Sequence, residues 1–162
     1  MQISEERYKE MVKQAFDHIM EVMFNNKNAK ESIKIISAPP PTEKREIAIL
    51  IQFTDGLEGK LIFACSKETA IKITKKLAGI KEETEIKLED QKKVFKDSLG
   101  ELMNILSGKM AYSLQRDFGT IRLTTPTIIT GSDLIITIYD ISSMSTYLES
   151  QFGIIELTLT LN

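Results

Sequence analysis

The sequence has a single cysteine, Cys65, and a single histidine, His18, among its 162 residues. One cysteine excludes an intrachain disulfide and any cysteine-cluster metal site, and one histidine excludes multi-histidine zinc sites and catalytic histidine pairs. An excess of one charge is lacking too. Lys plus Arg number 21 against 23 Asp plus Glu, a net charge of −2, so there is no electrostatic footprint for nucleic acid or for an anionic membrane surface. No run approaches the roughly eighteen apolar residues of a membrane span. The polar start MQISEERYKE has neither the basic nor the apolar region of a secretory signal, and cytoplasmic residence is the expectation. Internal repeats are absent, as is low-complexity sequence beyond Pro39-Pro40-Pro41. These absences confine any chemistry to carboxylates, amides, hydroxyls and lysines.

What is present is a folding composition. With 42% hydrophobic and 27% charged residues the chain sits inside the globular range and outside the disordered and fibrous ones. Its length suits one domain, residues 1–162, with a sizeable core. Tyr8, Met11, Val12, Ala15, Phe16, Ile19, Val22 and Met23 recur at three- and four-residue spacing and predict an amphipathic helix. Ser4 serves as its N-cap, Ile3 as a staple onto Tyr8, and the polar Asn25–Asn28 stretch as its end. Ser32–Ser37 reads as a short strand, followed by a stiff surface connection at the three prolines. Glu46–Phe53 and Gly59–Cys65 alternate as strands around a Thr54-Asp55-Gly56 turn, a hairpin. Ser66 caps a helix through Ala78 that Gly79 closes, and 81–89 is a charged link. A long helix runs from about Asp90 to Gln115 or Arg116, with Gly119 as its stop. Strands are then expected at Thr120–Thr124, at Asp133–Tyr139 after a Gly131-Ser132 turn, and at Gly153–Leu161, with a break at Pro126; the 142–151 stretch lies between the last two strands without an assignment of its own. Hairpins and adjacent strands without intervening helices favour an α+β architecture, an antiparallel sheet with helices packed on it.

The long helix carries the information about function. At about 100° per residue, Phe95, Leu99, Leu102, Leu106 and Met110 form an ordinary core-facing stripe. Opposite them, Asp97, Glu101, Asn104 and Gly108 fall within about 60° of one another. Asp97 and Glu101 are like charges at i,i+4, a cost of about 0.2–0.5 kcal/mol that Lys93 offsets in part. Gly100 and Gly108 each cost about 1 kcal/mol inside a helix, and Gly100, Ser107, Gly108 and Ala111 leave no long side chain beside Glu101 and Asn104. The face reads either as a solvated surface with chance charges or as a docking surface with two polar probes.

Asp97, Glu101 four residues on, Asn104 three further and Pro126 twenty-two beyond resemble the signature of the CheC/CheX/FliY family of chemotaxis phosphatases. Gly108 and the Pro126–Gly131 segment resemble it as well. The resemblance implies a CheC-like fold whose long helix presents Glu and Asn to a phosphorylated CheY-type response regulator, the substrate being its aspartyl phosphate. Glu101 would pair with a lysine of that partner, and Asn104 would orient the attacking water. Asp97, Gly100 and Gly108 would belong to the partner-binding surface, although Asp97 could equally serve the helix alone. An amide that aligns water suits a loose phosphoryl-transfer transition state, as Gln does in GTPases. No cofactor of its own is implied, because Mg would sit in the partner's acidic pocket. On the first helix Asp17 and Glu21 are followed by Phe24 where a second motif would need Asn, so a single site is read, as in CheX-type members. Such members resemble a homodimer with a sheet continuing across the interface, which the long terminal strand would suit.

The other reading of the same face is a non-catalytic adaptor, as in the related middle domain of FliM. A small-ligand sensor is disfavoured by the lack of a glycine-rich phosphate loop or a convergent polar cluster. The remaining candidates have plain readings. His18 borders an apolar stripe, Cys65 is a buried small hydrophobe, the helical methionines are core, and Lys75-Lys76 and Lys92-Lys93 are solvated.

Overall fold

The computed structural model describes residues 2–25, 33–135 and 142–162. Among these residues ten elements follow in order: α1 (Glu5–Val22), β1 (Lys34–Ile36), β2 (Ile47–Thr54), β3 (Gly59–Cys65), α2 (Lys67–Ala78), α3 (Leu88–Phe118), β4 (Arg122–Leu123), β5 (Thr127–Thr130), β6 (Ser142–Ser150) and β7 (Gly153–Leu161). The strands form one antiparallel sheet in the order β1-β6-β7-β3-β2-β4, with β5 also paired to β2. The expected α+β architecture is the one observed.

Local chemistry accounts for most boundaries. Ser4 and Ser66 accept backbone N–H bonds from Arg7 and Thr69 (both 3.2 Å) and start α1 and α2. Gly79 closes α2 in the left-handed conformation at φ 66°. The β2–β3 connection places Asp55 and Gly56 at φ 59° and 57°, left-handed conformations that Asp and Gly adopt most readily. α3 begins at Leu88 rather than Asp90 and runs through Phe118, past Arg116. Its N-cap is Lys87, which makes no side-chain capping bond, so the sequence carries no start signal there.

The core lies between the sheet and the helices. Ile47, Ile49, Ile51 and Phe53 of β2, Leu61, Phe63 and Cys65 of β3, and Ile155, Leu157 and Leu159 of β7 turn the same way and are buried with Tyr8, Val12, Phe16, Leu99, Leu102 and Leu106. Val22, expected in the α1 stripe, is exposed. Tyr8 donates its hydroxyl to the Leu157 carbonyl (2.6 Å), which satisfies a polar group inside the core. Burial pushes its phenol well above the ordinary value. Burial, then Glu43 and Glu46, likewise push the Cys65 thiol up, and this cysteine is inert core. Arg7 pairs with Asp117, tying the start of α1 to the end of α3.

Three expectations change. The 142–151 stretch, left unassigned, supplies β6, which pairs with β7 along its whole length from Ser142↔Leu161 to Ser150↔Gly153. Its inward side is Met144, Thr146 and Leu148, too mixed to announce a strand. Flanked in this way, β7 is an interior strand between β3 and β6, and Thr158 and Thr160 are as buried as its leucines. The expected Asp133–Tyr139 strand lies largely outside the described residues, and Asp133–Ile135 is not strand. Likewise β1 is only Lys34–Ile36 of the expected Ser32–Ser37, whose first residue is outside the described set.

Gly153 shows how tightly the β6–β7 turn docks on α2. At φ 131°, a Cβ there would stand 2.2 Å from Thr69 Oγ1. Gly153→Ala is therefore expected to lower unfolding free energy by about 1–3 kcal/mol in urea titrations. Tyr8→Phe should cost about 1 kcal/mol at pH 7. Because the folded-state phenol pKa is raised, wild-type stability is complete below about pH 10 and falls above it as the unfolded state loses its proton first. The gap between wild type and Tyr8→Phe should accordingly narrow above pH 10.

Candidate functional site

α3 is the longest helix described, 31 residues, and its two sides have opposite fates. Phe95, Leu99, Leu102, Leu106 and Met110 are all at most 2% exposed, as the apolar stripe predicts. Glu101 and Asn104, on the other side, are exposed. Neither side chain makes a hydrogen bond or ion pair with any described residue. One helical turn apart, they stand roughly 5–6 Å from one another at Cβ. Asp97, also exposed, is 3.6 Å from Lys93 Nζ, the offsetting pair expected from the sequence; at this exposure it adds little.

The small residues divide into two groups that the helical wheel does not separate. Gly100, Ser107 and Ala111 are buried. A Cβ at Gly100 would stand 4.0 Å from Pro126 Cγ, so this flank faces the β4–β5 edge of the sheet. Ser107 turns its hydroxyl back to the Met103 carbonyl (2.7 Å), a self-contained bond of the kind helical serines make. The expectation that Gly100, Ser107 and Ala111 form an open docking surface is corrected: all three are buried, Gly100 beside Pro126. Gly108 is different. A Cβ there would meet no described residue within 4 Å, so no packing among the described residues calls for a glycine.

Pro126 reaches α3 through a β-bulge. Phe53 pairs with Leu123 and Leu50 with Thr127, so three residues, Thr124–Pro126, oppose two, Ile51 and Gln52. Gln52 holds the bulge from both sides, donating its N–H to Thr124 Oγ1 (3.0 Å) and accepting from the Thr124 N–H (3.1 Å). A proline without an N–H fits where ladder pairing is interrupted. Sequence reasoning placed a break at Pro126 but had no signal for the register shift, because β4 and β5 are too short to show periodicity. The structure thus brings Asp97, Gly100, Glu101, Asn104 and Pro126 together on one side of the molecule.

A cleft of about 1260 Å³ runs along α2, lined by Lys67, Lys72, Lys75, Lys76, Glu46 and Phe152 among others, and includes none of the face residues. Among the described residues no three His, Cys, Asp or Glu side chains are placed to hold a metal ion. No described helix is long and apolar enough to cross a membrane. Just past the end of α1, Phe24 is buried with its ring 4.9 Å from that of Phe152, so this position offers packing where a second motif would need an amide. An exposed carboxylate and amide on a rigid convex helix suit contact with a macromolecular surface that carries its own reactive group.

The fold is that of known chemotaxis proteins. A CheX from Desulfovibrio desulfuricans superposes with a TM-score of 0.72 at 19% identity, covering 94% of this chain and 97% of that one. The CheX in a CheX–CheY–BeF3–Mg²⁺ complex from Borrelia burgdorferi gives 0.75 at 20% identity, covering 96% and 97%. The fold and the helix face define a CheC-like α+β protein. More narrowly, the profile of the family Chemotaxis phosphatase CheX matches residues 47–148, and the chain belongs to that family. The CheY-P phosphatase CheX of Thermotoga maritima is 32% identical over 88 residues, 54% of each chain; the match thus spans about half the length of that curated relative.

Since no described residue occupies the space over Gly108, Gly108→Ala should raise unfolding free energy by about 0.4–1 kcal/mol, read as a higher urea midpoint with unchanged slope.

Proposed function

We propose that this chain is a phosphatase acting on the aspartyl phosphate of a CheY-type response regulator. The observation that carries the reading is the exposed, unpartnered pair Glu101 and Asn104 on the rigid outer face of α3. Membership of the chemotaxis phosphatase CheX family supports it. Glu101 anchors the partner by pairing with a lysine of the receiver. Asn104 enters the phosphorylated pocket, where its amide both accepts from a water and donates towards a phosphoryl oxygen. The water oxygen bonds to phosphorus as the bond from phosphorus to the aspartyl carboxylate breaks, releasing inorganic phosphate. Positioning and charge stabilisation suffice for such a loose transition state. Mg²⁺ belongs to the receiver's acidic pocket, so this chain contributes one carboxylate and one amide.

The remaining parts of the reading follow from the same face. Asp97, Gly100 and Gly108 flank the two probes; Gly108 lies at the contact surface, Asp97 at its edge, and the buried Gly100 behind it against Pro126. The unit acting on the receiver is the whole 1–162 chain, paired as a homodimer in the cytoplasm. Sheet continuation between copies would use β1 or the β4–β5 edge, because β7 is interior; the expectation that the terminal strand forms the junction is corrected accordingly.

The test follows decay of a phosphorylated, Mg²⁺-loaded CheY-type receiver from the source organism. Wild type should accelerate it, and Asn104→Ala should lose about a hundredfold of that acceleration while still binding. Glu101→Ala should weaken receiver binding about tenfold or more, the worth of a charge-assisted contact. Wild-type binding without acceleration would replace the phosphatase with an adaptor.

A further inference from the structure

On α3, Tyr112 is 74% exposed. It makes no hydrogen bond or ring contact with any described residue, and it is an aromatic side chain on an outward surface otherwise made of Lys109, Gln115 and Arg116 beyond Gly108. At about 100° per residue it falls between Glu101 and Ile105 around the helix, within the same sector as Asn104 and Gly108. Asn104, Gly108 and Tyr112 follow at four-residue steps, roughly 6 Å apart along the axis. Gly108, with open space where a side chain would be, makes the middle of this line a notch, walled by an amide at one end and an aromatic ring at the other. Neither the helical glycine nor the exposed ring helps this chain fold. The glycine costs about 1 kcal/mol relative to Ala, and the ring leaves its apolar area in water. Both become useful once a second surface is seated on the face.

The geometry points to Tyr112 as a specificity-determining anchor for the receiver domain: an apolar side chain of the receiver, beside its phosphorylated pocket, seats in the Gly108 notch against the Tyr112 ring. This inference rests on the phosphatase reading and extends its contact surface by two helical turns beyond the water-positioning amide. A tyrosine suits the role because it supplies rigid contact area at little entropic cost while its hydroxyl stays wet at the rim. The charges at Asp97 and Glu101 are common to many partners, whereas a notch of defined width selects by shape. Tyr112 touches no reacting atom, so its loss falls on KM rather than on kcat.

The experiment measures the Kd of the full chain for CheY-type receivers of the source organism charged with Mg²⁺ and BeF3⁻, together with kcat and KM on the phosphorylated forms. The variants are Tyr112→Ala, Tyr112→Phe and Asn104→Ala, each checked for an unchanged thermal midpoint and oligomeric state. Tyr112→Ala is expected to raise Kd and KM about tenfold, Tyr112→Phe to restore both to within about twofold, and Asn104→Ala to lose kcat while Kd holds. If Tyr112→Ala binds and turns over as wild type while Asn104→Ala is inactive, the anchor is overturned and the phosphatase reading stands. If Tyr112→Ala changes the oligomeric state but not receiver binding, the ring belongs to an interface between copies and the anchor is again overturned. If wild type neither binds nor hydrolyses any receiver, the phosphatase reading falls and the anchor with it.

Discussion

Everything at the candidate site depends on the burial of one side of α3 against the inner face of the sheet. Phe95, Leu99, Leu102, Leu106 and Met110 are removed from water together with Ile49, Ile51 and Phe53 of β2. Their combined apolar area is what holds the helix in one rotational setting. A turn of α3 about its axis would expose leucines and bury Glu101 without a partner, both costly. The polar face is outward because the apolar stripe leaves it no alternative. The exposed carboxylate and amide are therefore presented on a rigid element, the arrangement that positioning chemistry needs.

The bulge at Thr124–Pro126 sets the second dimension of the face. It shifts the pairing with β2 by one residue and sets Pro126 beside Gly100. Gly100 lies on the flank of α3 that approaches this edge, and Ser107 and Ala111 are buried as well. Small residues on a helix have two opposite uses, admitting a neighbour from the same chain or a partner from outside. Sequence spacing alone does not distinguish them. Gly100 and Gly108 are 80° apart on a wheel of about 100° per residue, yet one is buried and the other half-buried, with open space where a Cβ would stand.

Much of the fold was legible. The caps at Ser4, Ser66 and Gly79 and the Asp55-Gly56 turn are local chemistry, decided within a few residues of each signal. The strands β2, β3 and β7 showed their alternation because one face of each meets the core in a strict two-residue period. β6 was missed because its outward positions are serines, a tyrosine and a glutamate, and its inward ones include a threonine. Its pairing with β7 over nine residues is a long-range stabilisation that no window of its own sequence contains. The start of α3 was placed late for the converse reason: Lys87 offers no cap, and the first turn is held by backbone bonds from Asp90 and Gln91 to the Lys87 carbonyl.

By itself the sequence determined that α3 has an apolar and a polar side, that Glu101 and Asn104 share the polar one, and that four spaced residues resemble a known signature. Periodicity suffices for that, since a helix's geometry is fixed whatever surrounds it. Only the tertiary structure decided which small residues face inward, that β7 is interior and not a free edge, and that Tyr112 stands exposed beyond an open Gly108. Those properties are relations between elements distant in the chain, and burial is created by packing, so no single element carries them alone.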